Sequence, residues 1–214
     1  MSSKRWVCLD PALHTPEQGS FRILQNLCPE EMSYHLIAFE GMSSVYKEDV
    51  SGIVILGSAA SVLDDLPWQK ELIPWLTKHI DQGTPILAIC YAHQLIGHMF
   101  GARVIQNLDG IKHSGIRTHQ VIRSACFITK SQSLDLVVSH YEQLDSVPSC
   151  FYHILETPHA PVSGMLHREK PIFTIQAHPE ADMVFCKNRG IPYEGLKDDG
   201  VNLIQRFFDF KCSL

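Results

Sequence analysis

The chain has 214 residues, enough for one α/β-sized domain that buries about 70% of the surface its unfolded form exposes. Its 45% hydrophobic and 19% charged residues give a globular composition, not that of a disordered or collagen-like chain. Eighteen Lys and Arg against 23 Asp and Glu leave a net charge of −5, which argues against nucleic acid or an anionic membrane surface as a partner.

Residues 6–9 read as a first strand. Thr15-Pro16-Glu17-Gln18 looks like a helix start, with Thr15 capping, Pro16 at the first position and Gln18 three residues on from the cap. Phe21, Leu24 and Leu27 share one face of that helix. Residues 34–39 predict a second strand. Residues 53–56 are a continuous apolar run ending at Gly57, as in a strand buried on both faces. A helix is expected over 67–82, with Leu72, Trp75, Leu76 and Ile80 on one stripe and Gly83 as its stop. The next buried strand, 86–89, runs straight into Cys90 and a helix ending near 100–101. From 104 to 176 the pattern turns strand-rich, with strands expected at 115–122, 125–129, 151–155 and 171–176. Residues 201–210 predict a closing helix. The expected fold class is α/β, an open, mostly parallel sheet flanked by helices, as one domain over 1–214 with no convincing linker.

No apolar run approaches the roughly 20 residues of a membrane helix, and residues 6–9 are too short for a signal-peptide core, so a cytoplasmic location is expected. Seven cysteines, an odd number scattered without a CxxC pair, argue against a disulfide framework or a zinc ribbon.

In open α/β sheets, sites form outside the carboxyl ends of the strands. Three strands here end in chemically distinctive residues: Gly57-Ser58, Cys90-Tyr91 and Ala177-His178-Pro179-Glu180. A cysteine on a tight strand-to-helix elbow is exposed, and the helix N-terminus behind it favours a thiolate. An isolated cysteine at that place also reads as a small buried residue. His178 changes the balance, because a thiol nucleophile needs a base and the base needs an orienting acceptor, which Glu180 can supply from the same loop. Gly57 and Tyr91 are candidates to offer backbone N–H groups to an oxyanion.

Together these segments resemble the class I glutamine amidotransferases, whose elbow reads G-x-C-x-G-x-Q. The chain has Ala88-Ile89-Cys90-Tyr91-Ala92-His93-Gln94, and the family's Q-x-H-P-E appears intact as Gln176-Ala177-His178-Pro179-Glu180. The family's S-G-G-P-x-S-V loop is echoed by residues 56–62, and its S-H-x-D/E segment by Ser139-His140-Tyr141-Glu142. The likeness runs from about residue 50 to 210 and is greatest to stand-alone members related to the glutaminase part of GMP synthetase. Alanines replace both elbow glycines at 88 and 92, Ser58 replaces the loop's second glycine, and Ala59 its proline. A non-glycine residue at 58 makes a loop flip costlier.

The resemblance implies a flavodoxin-like fold and a Cys90, His178, Glu180 triad acting through a cysteine thioester. It also implies an oxyanion hole at Gly57, Ser58 and Tyr91, and substrate contacts from Gln94, Ser139, His140 and Tyr141. It implies no metal and no organic cofactor. The implied substrate is glutamine, with a synthetase on another chain receiving the ammonia. Two alternatives stay open: a self-sufficient γ-glutamyl peptide hydrolase, marked by an open pocket, and a weakly active or non-catalytic member of the family.

Overall fold

A computed structural model describes residues 4–194 and 196–211; the seventh cysteine, Cys212, lies outside them. Its centre is a nine-stranded sheet. β1 (Arg5–Leu9) has Trp6 and Cys8 in one apolar cluster and Val7 and Leu9 in another, because successive strand side chains point to opposite faces. Both faces are covered, as the unbroken apolar run predicts. On one face lie α1 (Gln18–Leu27) and, at the end of the chain, the closing helix. After α1 come β2 (Met32–His35), a short α2 (Ile37–Glu40), β3 (Val50–Ile55) and α3 (Pro67–Asp81). β4 (Ile86–Ile89) is buried throughout and leads into α4 (Tyr91–Met99). The stripe Leu72, Trp75, Leu76 and Ile80 of α3 is buried together with Leu95 and Ile96 of α4 against the other face.

The remaining strands are β5 (Val104–Gln106), β6 (His113–Val121), β7 (Ser133–His140), β8 (Glu142–Leu144), β9 (Phe151–Glu156), β10 (Gly164–His167) and β11 (Ile172–Ile175). α5 (Met183–Asn188) and α6 (Asp199–Lys211) follow. The sheet order is β2-β1-β3-β4-β11-β10-β9-β6-β7, and β5 pairs with β8 separately. β2, β1, β3, β4 and β11 are mutually parallel, so their carboxyl ends share one edge; β10, β9, β6 and β7 extend the sheet in antiparallel fashion. The α/β class with a large, helix-flanked sheet agrees with the sequence. α6 closes it by burying Phe207 and Phe208 against Trp6. Each such ring contributes roughly 1.5–3 kcal/mol of burial. Among the described residues, no helix is long and apolar enough to cross a membrane.

Three local expectations are corrected. Thr15 is not the cap of α1: the helix starts at Gln18, after Glu17. The buried Asp10 carboxylate, just past β1, accepts the Ala12 N–H at 2.9 Å and the Glu17 N–H at 2.7 Å, which holds residues 11–17 as a shaped loop. The strand expected over 34–39 ends at His35, opposite Leu9, because β1 offers no further ladder partner and the chain coils into α2. Residues 125–129 form a tight turn in which Ala125 and Ile128 bridge each other, while Phe127 packs on Phe173 and Phe207. Their apolar character fills the core rather than a ladder.

Candidate active site

Strand register assembles the site. Ile89 pairs with Ile175, and Ala88 pairs with Ile55 and Thr174. Cys90 therefore follows β4 level with Gly57, two residues past Ile55, and beside the run from β11 into His178. The Cys90 N–H donates to Ile175 O at 2.8 Å, and the His178 N–H to Val137 O of β7 at 2.7 Å. Cys90 has φ 52° and ψ −102°, the strained elbow anticipated from the strand-to-helix junction. Ala88 and Ala92 are both fully buried, so a methyl at either position is accommodated. Contrary to the expectation of an exposed thiol, Cys90 is only 4% exposed and lies on the floor of a cavity.

His178 Nδ1 donates to Glu180 Oε1 at 2.9 Å, with both residues buried. That bond leaves Nε2 for Cys90, which lies close enough to favour the charged imidazole. Burial alone would lower the His178 pKa. The charges and hydrogen bonds of Cys90 and Glu180 outweigh it, so the imidazole holds its proton above its ordinary range. Gly57 packs against both reacting groups: a Cβ there would sit 2.7 Å from His178 Cε1 and 3.3 Å from Cys90 Cβ. Gln176 Nε2 points to Cys90 Sγ at 3.7 Å. The sequence reading quoted Gln176 only as part of a motif, and its contact with the sulfur is a product of the β11 register.

The Ser58 side chain donates to Pro11 O at 2.7 Å and accepts the Ala60 N–H at 3.1 Å, which ties the loop after β3 to the loop after β1. Tyr91 buries its ring against Trp68, and its hydroxyl accepts from Gln69 Nε2 at 3.0 Å. Gln69 also accepts the Leu66 N–H at 2.6 Å, so the first turn of α3 braces the elbow.

Gln94 Nε2 donates to Glu142 O at 2.7 Å and to Gln176 Oε1 at 3.2 Å. Ser139 and His140 end β7 on the cavity wall, and Tyr141 stands 63% exposed at its rim with Lys112 5.7 Å from its ring centre. Burial first, then the neighbouring His113, pushes His140 down to about 3, so it is a neutral residue that meets Asn107 Oδ1 and Glu142 O. Nine of the ten residues singled out from the sequence line this cavity; Tyr91 follows Cys90 directly but turns its side chain away, against Trp68 and Gln69.

Sequence reasoning missed the opposite wall, where residues 13–17 meet α5. Arg189 NH2 donates to Glu17 Oε1 at 2.5 Å, and its guanidinium lies 3.6 Å from the Phe185 ring centre. Phe185 in turn packs on His178 with centroids 4.5 Å apart. Burial raises the Glu17 pKa, while Arg189 works against that rise. The cavity between the walls has a volume of about 920 Å³.

One cluster among the described residues has metal-ligand chemistry. Asp109, His113 and His159 place ligand atoms within 4.8 Å of one another. His113 Nε2 already meets Asp109 at 2.9 Å, and its buried Nδ1 has no partner. A metal-bound imidazole normally donates its other N–H to an acceptor. The group is therefore read as a hydrogen-bonded Asp109–His113 pair beside a second histidine.

A family model described as "Glutamine amidotransferase class-I" matches residues 20–186. A curated relative from Wolinella succinogenes, "GMP synthase [glutamine-hydrolyzing]", is 25% identical over 79% of this chain and 32% of its own length. One of the same name from Acetivibrio thermocellus is 28% identical over 65% of this chain and 26% of its own. The chain thus spans only about a quarter to a third of these relatives. The fold is that of a glutamine amidotransferase from Thermotoga maritima, with TM-score 0.82, 14% identity and complete coverage of both chains.

Proposed function

The chain belongs to the class-I glutamine amidotransferase family, and from that premise we propose that it is a cysteine amidohydrolase cleaving the side-chain amide of glutamine. The observation that carries this reading is the buried line from Cys90 through His178 to Glu180 on the floor of one cavity.

In this reading the Cys90 sulfur attacks the amide carbon, and Gln176 Nε2 and His178 stabilise the sulfur's negative charge. Backbone N–H groups of Gly57, Ser58 and Tyr91 receive the oxyanion; such a donor is worth about 10²–10³ in rate. His178 gives its proton to the departing ammonia while Glu180 keeps the ring oriented. The amide C–N bond breaks as the C–S bond of a γ-glutamyl thioester forms. Water, activated by the imidazole, then releases glutamate and frees the thiol. Gln94 and the segment Ser139, His140 and Tyr141 hold the amino acid end of the substrate. The chemistry requires no metal and no organic cofactor. The ammonia is passed on to the acceptor site of a synthetase, a coupling that the relatives named GMP synthase [glutamine-hydrolyzing] support.

The test is glutamate release from glutamine by the purified chain, with 6-diazo-5-oxo-norleucine labelling mapped by mass spectrometry. The adduct is expected on Cys90, and C90A should release no glutamate while staying folded. Labelling of Cys28 or Cys126 with Cys90 untouched would sink the reading.

A further inference from the structure

The cavity is larger than its glutamine end requires. About 920 Å³ lies near the top of the roughly 300–1,000 Å³ that accommodates drug-sized ligands. Gln94, Ser139, His140 and Tyr141 occupy one side of Cys90. The other side is a second wall made of Leu13, His14, Thr15, Glu17, Asn188 and Arg189. Ammonia as a leaving group uses none of these.

We infer that this second wall is a leaving-group subsite for an amino acid, so that the substrate class extends to γ-glutamyl amino acids, with Arg189 taking the carboxylate of the departing residue. The inference rests on the thiol chemistry proposed above and changes only the amine that leaves.

The wall is built rather than incidental. Asp10, fully buried, accepts two backbone N–H groups of the 11–17 loop and the Tyr34 hydroxyl, and Ser58 fastens Pro11 from the other side. Arg189 is held by Glu17 and by the face of Phe185. Its five N–H donors exceed what Glu17 and a long 3.4 Å contact to Phe185 O consume, so a fork remains for a carboxylate. Two ring contacts, a tilted one at 4.5 Å and a cation–π one at 3.6 Å, separate the His178 imidazole from that guanidinium. A residue joined through its α-nitrogen to the γ-carbonyl at Cys90 would span this separation with its own carboxylate. The reaction balances as before: the amide C–N bond breaks, the amino acid leaves with the proton from His178, and water cleaves the thioester to glutamate.

The experiment compares kcat/KM for γ-glutamylalanine and γ-glutamylethylamide, whose leaving amines differ only by the carboxylate, with glutamine as the reference. A charge-assisted bond predicts a preference for the alanine compound of about 10–100-fold in the wild-type protein. R189M should bring that ratio towards unity and R189K should keep part of it. The double variant E17Q/R189M, which leaves neither charge unpaired, should match R189M if the single variant folds poorly. Turnover of glutamine and the ethylamide with no preference for γ-glutamylalanine overturns the subsite alone, as does a ratio unmoved by R189M. No glutamate from any of the three substrates overturns the Cys90 reading and the subsite with it.

Discussion

Replacing Gly57 by alanine tests the assembled site with one methyl group. The glycine's φ is outside the left-handed region, so the change carries no conformational strain of its own. Its cost is contact: the new Cβ would lie 2.7 Å from His178 Cε1 and 3.3 Å from Cys90 Cβ, where carbons prefer about 3.5–4.0 Å. The imidazole must then retreat by about 1 Å. It has little room, being bonded to Glu180, packed against the tilted Phe185 ring and anchored through its backbone to Val137. A misplacement of that size costs about 10²-fold in rate, or about 2.7 kcal/mol of barrier. Overpacking should also cost about 1–3 kcal/mol of stability, a drop in Tm of about 2–4 °C per kcal/mol for a chain of this length. Glutamate release at saturating glutamine, alongside a thermal melt by circular dichroism, separates the two effects. A folded G57A with kcat within about threefold of wild type would refute the argument that His178 acts from the position it holds here.

Two further outcomes follow from the same geometry. E180Q keeps an acceptor for His178 Nδ1 but removes the charge that favours the imidazolium, so kcat should fall by about 10²-fold or more with KM little changed, as steady-state kinetics would read; retained kcat would exclude Glu180 from the reaction. Burial pushes His93 and His140 down to about 3, against about 6.5 for a free imidazole, so below pH ~6.5 the unfolded chain takes up protons that the folded chain refuses. Their contribution is complete above that value and is lost as pH falls towards about 3, by up to about 1.4 kcal/mol per pH unit for each; urea midpoints that stay flat between about pH 7 and 5 would contradict it.

Legible in the residues alone were the buried strands, their order with the helices, and the distinctive strand ends that carry Cys90, His178 and Glu180. Runs such as Ile86-Leu87-Ala88-Ile89 carry apolar side chains on both faces, which only a covered strand explains, and the residues at their ends are unusual enough to be legible without coordinates. What it left out is non-local. β7 went unread because Ser133–His140 alternates buried and exposed residues only partly, yet it holds the His178 backbone. Thr15-Pro16 looked like a helix start because local capping chemistry could not include Asp10, whose carboxylate wins the same backbone groups through the tertiary fold. The wall made by Glu17, Phe185 and Arg189 joins residues up to 172 positions apart, and none of them carries a spacing signal. Strand register sets Gly57, Cys90 and His178 side by side, because parallel pairing fixes which residues emerge level at the sheet edge, and hydrogen-bond pairing between distant segments is decided only when the chain folds.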